Sequence, residues 1–155
     1  MTYAPVSEVN FRLSGTNARH TYLDYSEVVN GKNFDYAGNR MAGAPNWIAN
    51  AEVFYKPRFV PGARLGLEYQ RIGRYYTSTD NTKTYAGYSL LNLRLGYRLP
   101  QASLRGLEVW TNVINLTNEL YASVVTANQY GTTYQAAAPR TYTLGLGYTF
   151  AAKAK

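Results

Sequence analysis

Large apolar residues alternate with small or polar ones over long stretches of this chain, most cleanly in Thr143-Leu144-Gly145-Leu146-Gly147-Tyr148-Thr149-Phe150. Successive side chains of a strand point to opposite faces. Tyr142, Leu144, Leu146, Tyr148 and Phe150 therefore share one face, and Thr141, Thr143, Gly145, Gly147 and Thr149 the other. The same period recurs upstream. Within 46–56, Trp47, Ala49, Ala51, Val53 and Tyr55 alternate with Ile48, Asn50, Glu52, Phe54 and Lys56. Within 63–76, Leu65, Leu67 and Tyr69 oppose Arg64, Gly66, Glu68 and Gln70; within 85–99, Leu91, Leu93, Leu95 and Tyr97 oppose Asn92, Arg94, Gly96 and Arg98. The run at 104–115 is mixed, because Trp110 and Ile114 share the face of Glu108 and Asn112; Leu107, Val109, Thr111 and Val113 are assigned to the apolar side. A further strand is predicted at 19–27, and another at 6–13, ending in a Ser14-Gly15-Thr16-Asn17 turn. The pattern predicts an all-β, antiparallel up-and-down meander of about six or seven long strands.

Connections alternate in length: short at 57–62 and 100–103, long and polar at 28–45, 77–84 and 116–139. A meander whose two ends face different compartments has this alternation, as transmembrane barrels do. Several runs exceed the usual soluble strand of about five or six residues and reach the roughly nine to eleven that a tilted membrane strand needs. Trp47 and Tyr55 bracket an uncharged set about eight residues long, which rises about 20 Å at a 40° tilt, close to the spacing of aromatic girdles. Tyr142 and Phe150 repeat that spacing, and Tyr97 and Tyr148 complete the predicted girdle. The expectation is a partial transmembrane β-barrel. Periodicity alone does not fix which face is inside, so a soluble β-meander that binds a small ligand stays open. Six or seven strands fall short of the eight of the smallest membrane barrels, so the chain is not expected to close by itself.

At 155 residues the chain has the length of one ordinary domain. It contains 16 Tyr against 5 Phe and 2 Trp, and the amphipathic Tyr ring suits a boundary between water and hydrocarbon. Mean hydropathy is −0.35, which a barrel strand tolerates because only every second residue meets lipid. The formal charge is +7, but the basic residues are dispersed, which argues against nucleic acid as a partner. Cys is absent and His20 is the only histidine. No metal site, cofactor site or catalytic grouping is legible, and the chain reads as not an enzyme. The N-terminus lacks the basic start and apolar core of a signal peptide. An outer-membrane protein then needs an export signal further upstream, and the chain is expected to be a fragment.

The polar face supplies the candidate lumen-facing residues Arg64, Glu68, Gln70, Asn92, Arg94 and Glu108. A hairpin through the loop near Asn81 brings Glu68 close to Asn92 or Arg94, so these side chains form either a charge-paired wall or a surface that meets substrate. On the lumen side, Arg94→Leu is expected to leave assembly largely intact. Candidate substrate contacts in the loops are Tyr75, Tyr76, Tyr85, Tyr88, Tyr121, Tyr130 and Tyr134, since Tyr offers rigid, partly polar contact area at low entropic cost.

Four segments, in order, resemble the C-terminal part of a TonB-dependent receptor, the family of plugged outer-membrane transporters. They are Asp35-Tyr36-Ala37-Gly38-Asn39-Arg40-Met41-Ala42-Gly43-Ala44-Pro45-Asn46-Trp47; Tyr88-Ser89-Leu90-Leu91-Asn92-Leu93-Arg94-Leu95-Gly96-Tyr97; Val113-Ile114-Asn115-Leu116-Thr117-Asn118-Glu119-Leu120-Tyr121; and Pro139-Arg140-Thr141-Tyr142. The resemblance implies residues 1–150 as the C-terminal portion of the barrel, with 151–155 as a short basic tail. It also implies the bacterial outer membrane as location and its lipid as surroundings. The implied activity is uptake of a scarce nutrient, commonly a ferric siderophore, haem, cobalamin or an oligosaccharide. Power comes from the TonB complex through an N-terminal plug that this sequence lacks. Thr143, Gly145, Tyr148 and Phe150 resemble the terminal signal read by the barrel-assembly machinery, although Ala151-Ala152-Lys153-Ala154-Lys155 extends past the aromatic on which the family usually ends. A non-plugged outer-membrane pore or structural barrel is the alternative in the same membrane.

Overall fold

The computed structural model describes residues 1–99, 106–128 and 130–149. The alternating runs form strands β1 (Thr2–Val6), β2 (Val9–Asn17), β3 (Ser26–Val29), β4 (Lys32–Asp35), β5 (Trp47–Tyr55), β6 (Ala63–Ile72), β7 (Tyr75–Tyr76), β8 (Thr84–Tyr85), β9 (Tyr88–Arg98), β10 (Leu107–Ile114), β11 (Ala122–Asn128), β12 (Gly131–Ala136) and β13 (Thr141–Tyr148). Seven of them make one sheet in the order β1-β2-β5-β6-β9-β10-β13, antiparallel at every step. Each strand thus pairs with the next long one in sequence, as a meander requires. The other six strands form three small hairpins, β3–β4, β7–β8 and β11–β12, one in each long connection. All three sit at the same end of the sheet, the loop end; the short connections lie at the opposite turn end.

Two strands differ from expectation. Residues 19–25 are not a strand: Thr21 makes an isolated bridge to Arg40, and Leu23 is exposed. Their tyrosines stack on rings further along the same loop rather than alternating across a sheet. Ser14-Gly15-Thr16-Asn17 is not a turn but the end of β2, paired residue by residue with 47–50. The turn falls earlier, between β1 and β2. The runs at 63–76 and 85–99 are each divided between the sheet and a loop hairpin. Gly87 makes that break on the β9 side: its φ is +78°, and a Cβ there would collide with the Ile72 carbonyl. The predicted turn at 100–103, Phe150 and the 151–155 tail lie outside the described residues.

The register puts every strand's apolar set on one face. Phe11, Leu13, Ala51, Val53, Leu65, Leu67, Leu93, Leu95, Val109, Leu144 and Leu146 lie together, with Arg12, Asn50, Glu52, Glu68, Asn92, Arg94 and Asn112 opposite. The burial is inverted relative to a soluble sheet. Leu144 and Leu146 are more than 70% exposed, while Glu52, Glu68 and Asn92 are buried. The few buried apolar side chains, Tyr75, Leu90, Val113, Ala122 and Val125, gather towards the loop end. This is a transmembrane-barrel wall, not a sandwich layer.

Candidate functional site

Across β5 and β6, Glu52 stands directly opposite Glu68, a pairing that like charges make unfavourable. Arg94 of β9 resolves it by donating from Nη1 to Glu52 Oε1 and from Nη2 to Glu68 Oε2, each at 2.8 Å. Gly66 stands opposite Arg94, and the Phe54 ring lies over the space that a Cβ there would take. Arg12 of β2 adds a second contact to Glu52 at 3.2 Å. Glu68 also accepts from Asn50 at 2.9 Å, Gln70 at 3.1 Å and Asn92 at 3.4 Å. Two anions and two cations close on themselves. Towards the turn end Arg64 pairs with Glu108, which Arg98 also reaches at 3.1 Å. All six sequence candidates for this face therefore come together, in two clusters. Arg98, which the period already places on the face of Asn92 and Arg94, joins them, as do Arg12, Asn50 and Glu52, which only the register aligns with that face. Between the clusters is an open cavity of about 580 Å³ whose lining includes Arg12, Phe54, Lys56, Arg64, Arg94 and Trp110.

Polar contacts continue from this face to the loop end. Asn92 Oδ1 accepts from the Asn115 amide at 2.9 Å. Asn115 is fully buried at φ +56°. Its side chain accepts from the Glu119 amide at 2.8 Å and donates to the Glu119 carbonyl at 2.9 Å. Asn118, also left-handed, accepts from the Arg140 amide at 3.0 Å. Asn tolerates this backbone conformation better than other non-glycine residues, and here each side chain fastens the base of the 115–140 loop. The segment that carried the resemblance at 113–121 is thus a loop anchor.

The loop tyrosines divide. Tyr75 and Tyr85 pack edge to face with centroids 5.5 Å apart, Tyr134 meets Tyr85 at 6.4 Å, and Tyr88 meets Tyr121 at 4.4 Å. The Tyr85 hydroxyl accepts from the Ala122 amide at 3.0 Å, and burial pushes the Tyr75 phenol up from its ordinary pKa. These rings are pillars between loops. Tyr76 is half-buried, and its carbonyl accepts from Gly43. Tyr134 keeps an exposed edge, and Tyr130 is 89% exposed. Tyr130 borders a cleft of about 820 Å³ whose lining also includes Tyr25, Phe34, Tyr36, Asp80 and Lys83. Tyr22, Tyr25, Tyr36 and Phe34 form a consecutive stack with centroids 4.8, 6.0 and 6.4 Å apart. The sequence reading missed this stack, although Asn30-Gly31, both at positive φ, marks a two-residue hairpin between the flanking strands.

The loops around the cleft are fastened to one another. Asn81 donates to the Arg40 carbonyl at 2.8 Å and accepts from the Arg40 amide at 2.7 Å. Lys83 Nζ donates to the Asn128 carbonyl at 3.1 Å, and the Ala127 amide to Thr77 at 3.0 Å. Asp80 accepts from Ser78 Oγ, Thr82 Oγ1 and the Thr82 amide, at 2.6 to 3.1 Å, and these donors, Ser78 foremost, hold its carboxyl below the usual range.

On the apolar face, Trp47 and Tyr142 stand towards the loop end and Tyr55, Tyr97 and Tyr148 towards the turn end. Of the candidate assembly-signal residues, Thr143 and Gly145 lie on the charged face and Tyr148 on the apolar one; Phe150 lies outside the described residues. Gly145 has a packing role, because Trp110 lies across it and a Cβ there would collide with the indole.

An inverted, staggered β-wall with its long loops at one end defines a class, the outer-membrane barrel. The family model described as "TonB dependent receptor-like, beta-barrel" matches residues 2–116, and the chain belongs to that family of bacterial outer-membrane proteins. Over 95 residues it is 30% identical to the ferrioxamine B receptors of Salmonella typhimurium strains SL1344 and LT2, a stretch that is 60% of this chain and 14% of theirs. Its fold matches the siderophore receptor PiuA of Acinetobacter baumannii (TM-score 0.73, 20% identity, 95% of this chain and 20% of that one). It also matches the ferric yersiniabactin receptor FyuA of Yersinia pestis (TM-score 0.72, 18% identity, 96% and 22%). The chain thus spans 14% of the length of its curated relatives and about a fifth of these solved barrels.

Proposed function

We propose that this chain is the C-terminal part of the barrel of a TonB-dependent receptor that takes up a ferric siderophore, with no enzymatic step of its own. The observation that carries the reading is the inverted wall, with exposed leucines on one face and a closed ion-pair network on the other. Trp47, Tyr55, Tyr97, Tyr142, Tyr148 and Phe150 form the lipid girdle; Arg64, Glu68, Gln70, Asn92, Arg94 and Glu108 line the lumen. Thr143, Gly145, Tyr148 and Phe150 carry the signal to the assembly machinery. The three loop hairpins face outward, and their cleft takes the metal chelate. Tyr25, Phe34, Tyr36 and Tyr130 supply the ring faces, while Tyr75, Tyr85, Tyr88, Tyr121 and Tyr134, with Tyr76, support them. Movement of the substrate inward uses the TonB complex and a plug encoded elsewhere in the full-length polypeptide.

Growth under iron limitation, with ferrioxamine B or ferric yersiniabactin as the sole iron source, tests this in a strain carrying the full-length gene. Support for growth by one chelate is expected, with binding about tenfold weaker in a Tyr25→Ala/Tyr130→Ala variant that still reaches the membrane. A receptor that binds no ferric chelate in a panel of hydroxamate, catecholate and carboxylate types would contradict the proposal.

A further inference from the structure

The chain carries a formal charge of +7, but its loop hairpins run against that balance. Residues 22–36, 77–85 and 116–138 hold the carboxylates of Asp24, Glu27, Asp35, Asp80 and Glu119 against only two cations, Lys32 and Lys83. Glu27, Asp80 and Lys83 line the cleft of about 820 Å³. Lys83 is engaged, since its Nζ donates to the Asn128 carbonyl at 3.1 Å. Asp80 keeps its charge but its oxygen is taken by Ser78 and Thr82. Glu27 differs from both. Among the described residues no cation and no hydrogen-bond donor meets its carboxylate. Register shows what lies beside it. Glu27 stands opposite Phe34, and the Tyr36 amide donates to the Tyr25 carbonyl at 2.8 Å, which continues the same pairing. Side chains two apart on a strand share a face. Tyr25, Glu27, Phe34 and Tyr36 therefore form one patch of three rings, with centroids 6.0 and 6.4 Å apart along Tyr25–Tyr36–Phe34, and one bare carboxylate. Lys32 is on this face at the hairpin tip and makes no ion pair with Glu27.

A carboxylate beside ring faces suits one chemistry. A metal ion needs several oxygen ligands, and no group of three or more ligating side chains occurs among the described residues. A polyanion meets two carboxylates in this cleft, and its one cation is already committed to a backbone carbonyl. An alkylammonium gains a charge partner and the negative faces of the rings together. In a cleft that takes an iron chelate, that ammonium is an arm of the chelate itself. We propose that Glu27, with the rings of Tyr25, Phe34 and Tyr36, holds a protonated amine on an arm of the ferric chelate. The receptor thereby selects cationic chelates over the same chelates without the charge, and over polyanionic ones. This assignment of Glu27 rests on the chelate-uptake reading above.

The test titrates the full-length receptor in detergent with ferrioxamine B, a linear trihydroxamate chelate that ends in a protonated amine, and with its N-acetyl derivative. The iron centre is the same in both, and only the charge of the arm differs. A trianionic ferric tricatecholate is the third probe, and isothermal titration reads all three affinities. Wild type is expected to bind the amine form about fivefold tighter than the acetylated form, as one partly exposed charge pair with ring support allows, and the tricatecholate more weakly than either. Added salt should shrink the preference. Glu27→Gln should lose it with affinity for the acetylated form unchanged, and Glu27→Lys should reverse it. Equal affinities in wild type, a preference that survives Glu27→Gln, or tighter binding of the tricatecholate than of either hydroxamate overturns the role of Glu27. In each of those cases chelate binding itself leaves the receptor reading standing. Binding of none of the three, nor of a ferric carboxylate chelate, removes the receptor reading and the role of Glu27 with it.

Discussion

Glu52 and Glu68 face each other across two strands, and among the described residues only Arg94 makes an ion pair with both. Removing one partner of a buried ion pair costs about 3–5 kcal/mol; Arg94 is roughly half exposed, so screening reduces this to about 1–3 kcal/mol. Arg94→Leu in the full-length receptor is therefore expected to lower unfolding stability by that amount. Adding Glu68→Gln should recover much of the loss, because one carboxylate then remains, paired with Arg12. Urea unfolding in detergent of the single and double variants checks both signs. The Gly145 position separates a packing role from a signalling one. Gly145→Val places carbons where the Trp110 ring lies, at a cost of about 1–3 kcal/mol from overpacking. Trp110→Ala should restore much of the assembled barrel if packing is the cause, as heat-modified gel mobility would report.

Each long connection folds as an element in its own right, and its polar contacts set its response to pH. The Asp80 carboxyl has a lowered pKa in the folded loop, with Ser78 the leading cause. Its contribution is therefore complete above the unfolded value near 4 and is lost as pH falls through the lower folded value. Hydrogen exchange of residues 77–84, read as the ratio of wild type to Asp80→Asn at each pH, should stay constant from pH 7 to about 4.5 and converge towards unity below. Convergence already at pH 6 would contradict the assignment. These elements were also the least legible in the sequence. Strands with a clear period of two, such as 47–55 and 88–98, were readable because no charged residue enters the apolar set. Gly15 and Asn17 resembled turn residues, yet pairing with β5 overrides local preference. The stack of Tyr22, Tyr25, Tyr36 and Phe34 depends on contacts within a folded loop, which neither helical nor strand periodicity encodes. The ion pairs were half legible: the even set on β6 and β9 was named, but Glu52 and Arg12 needed the register of β2 against β5.

For the molecule as a whole, the sheet ends in two open edges, β1 and β13. In hydrocarbon each unpaired backbone group costs several kcal/mol, so both edges must be paired in the membrane. The direction each face takes in that closed barrel is measured most cleanly on β9. Its residues 91, 93 and 95 lie on the apolar face and 92, 94 and 96 on the charged one. Nitroxide labels on single cysteines at these six positions in the reconstituted receptor should divide by parity. The odd set is expected to be broadened by oxygen, which concentrates in hydrocarbon, and the even set to be shielded from it. The label at 94 also removes the arginine that joins Glu52 to Glu68, so its spectrum should be read only where the protein remains folded. The labels at 92 and 96 carry the even set without that cost. Lipid contact at 92 and 96, or at none of the six, would reverse the wall and remove the basis for the transport reading. Alternation by parity, with the signal at 93 deeper than at 91 and 95, would place the middle of β9 at the middle of the membrane.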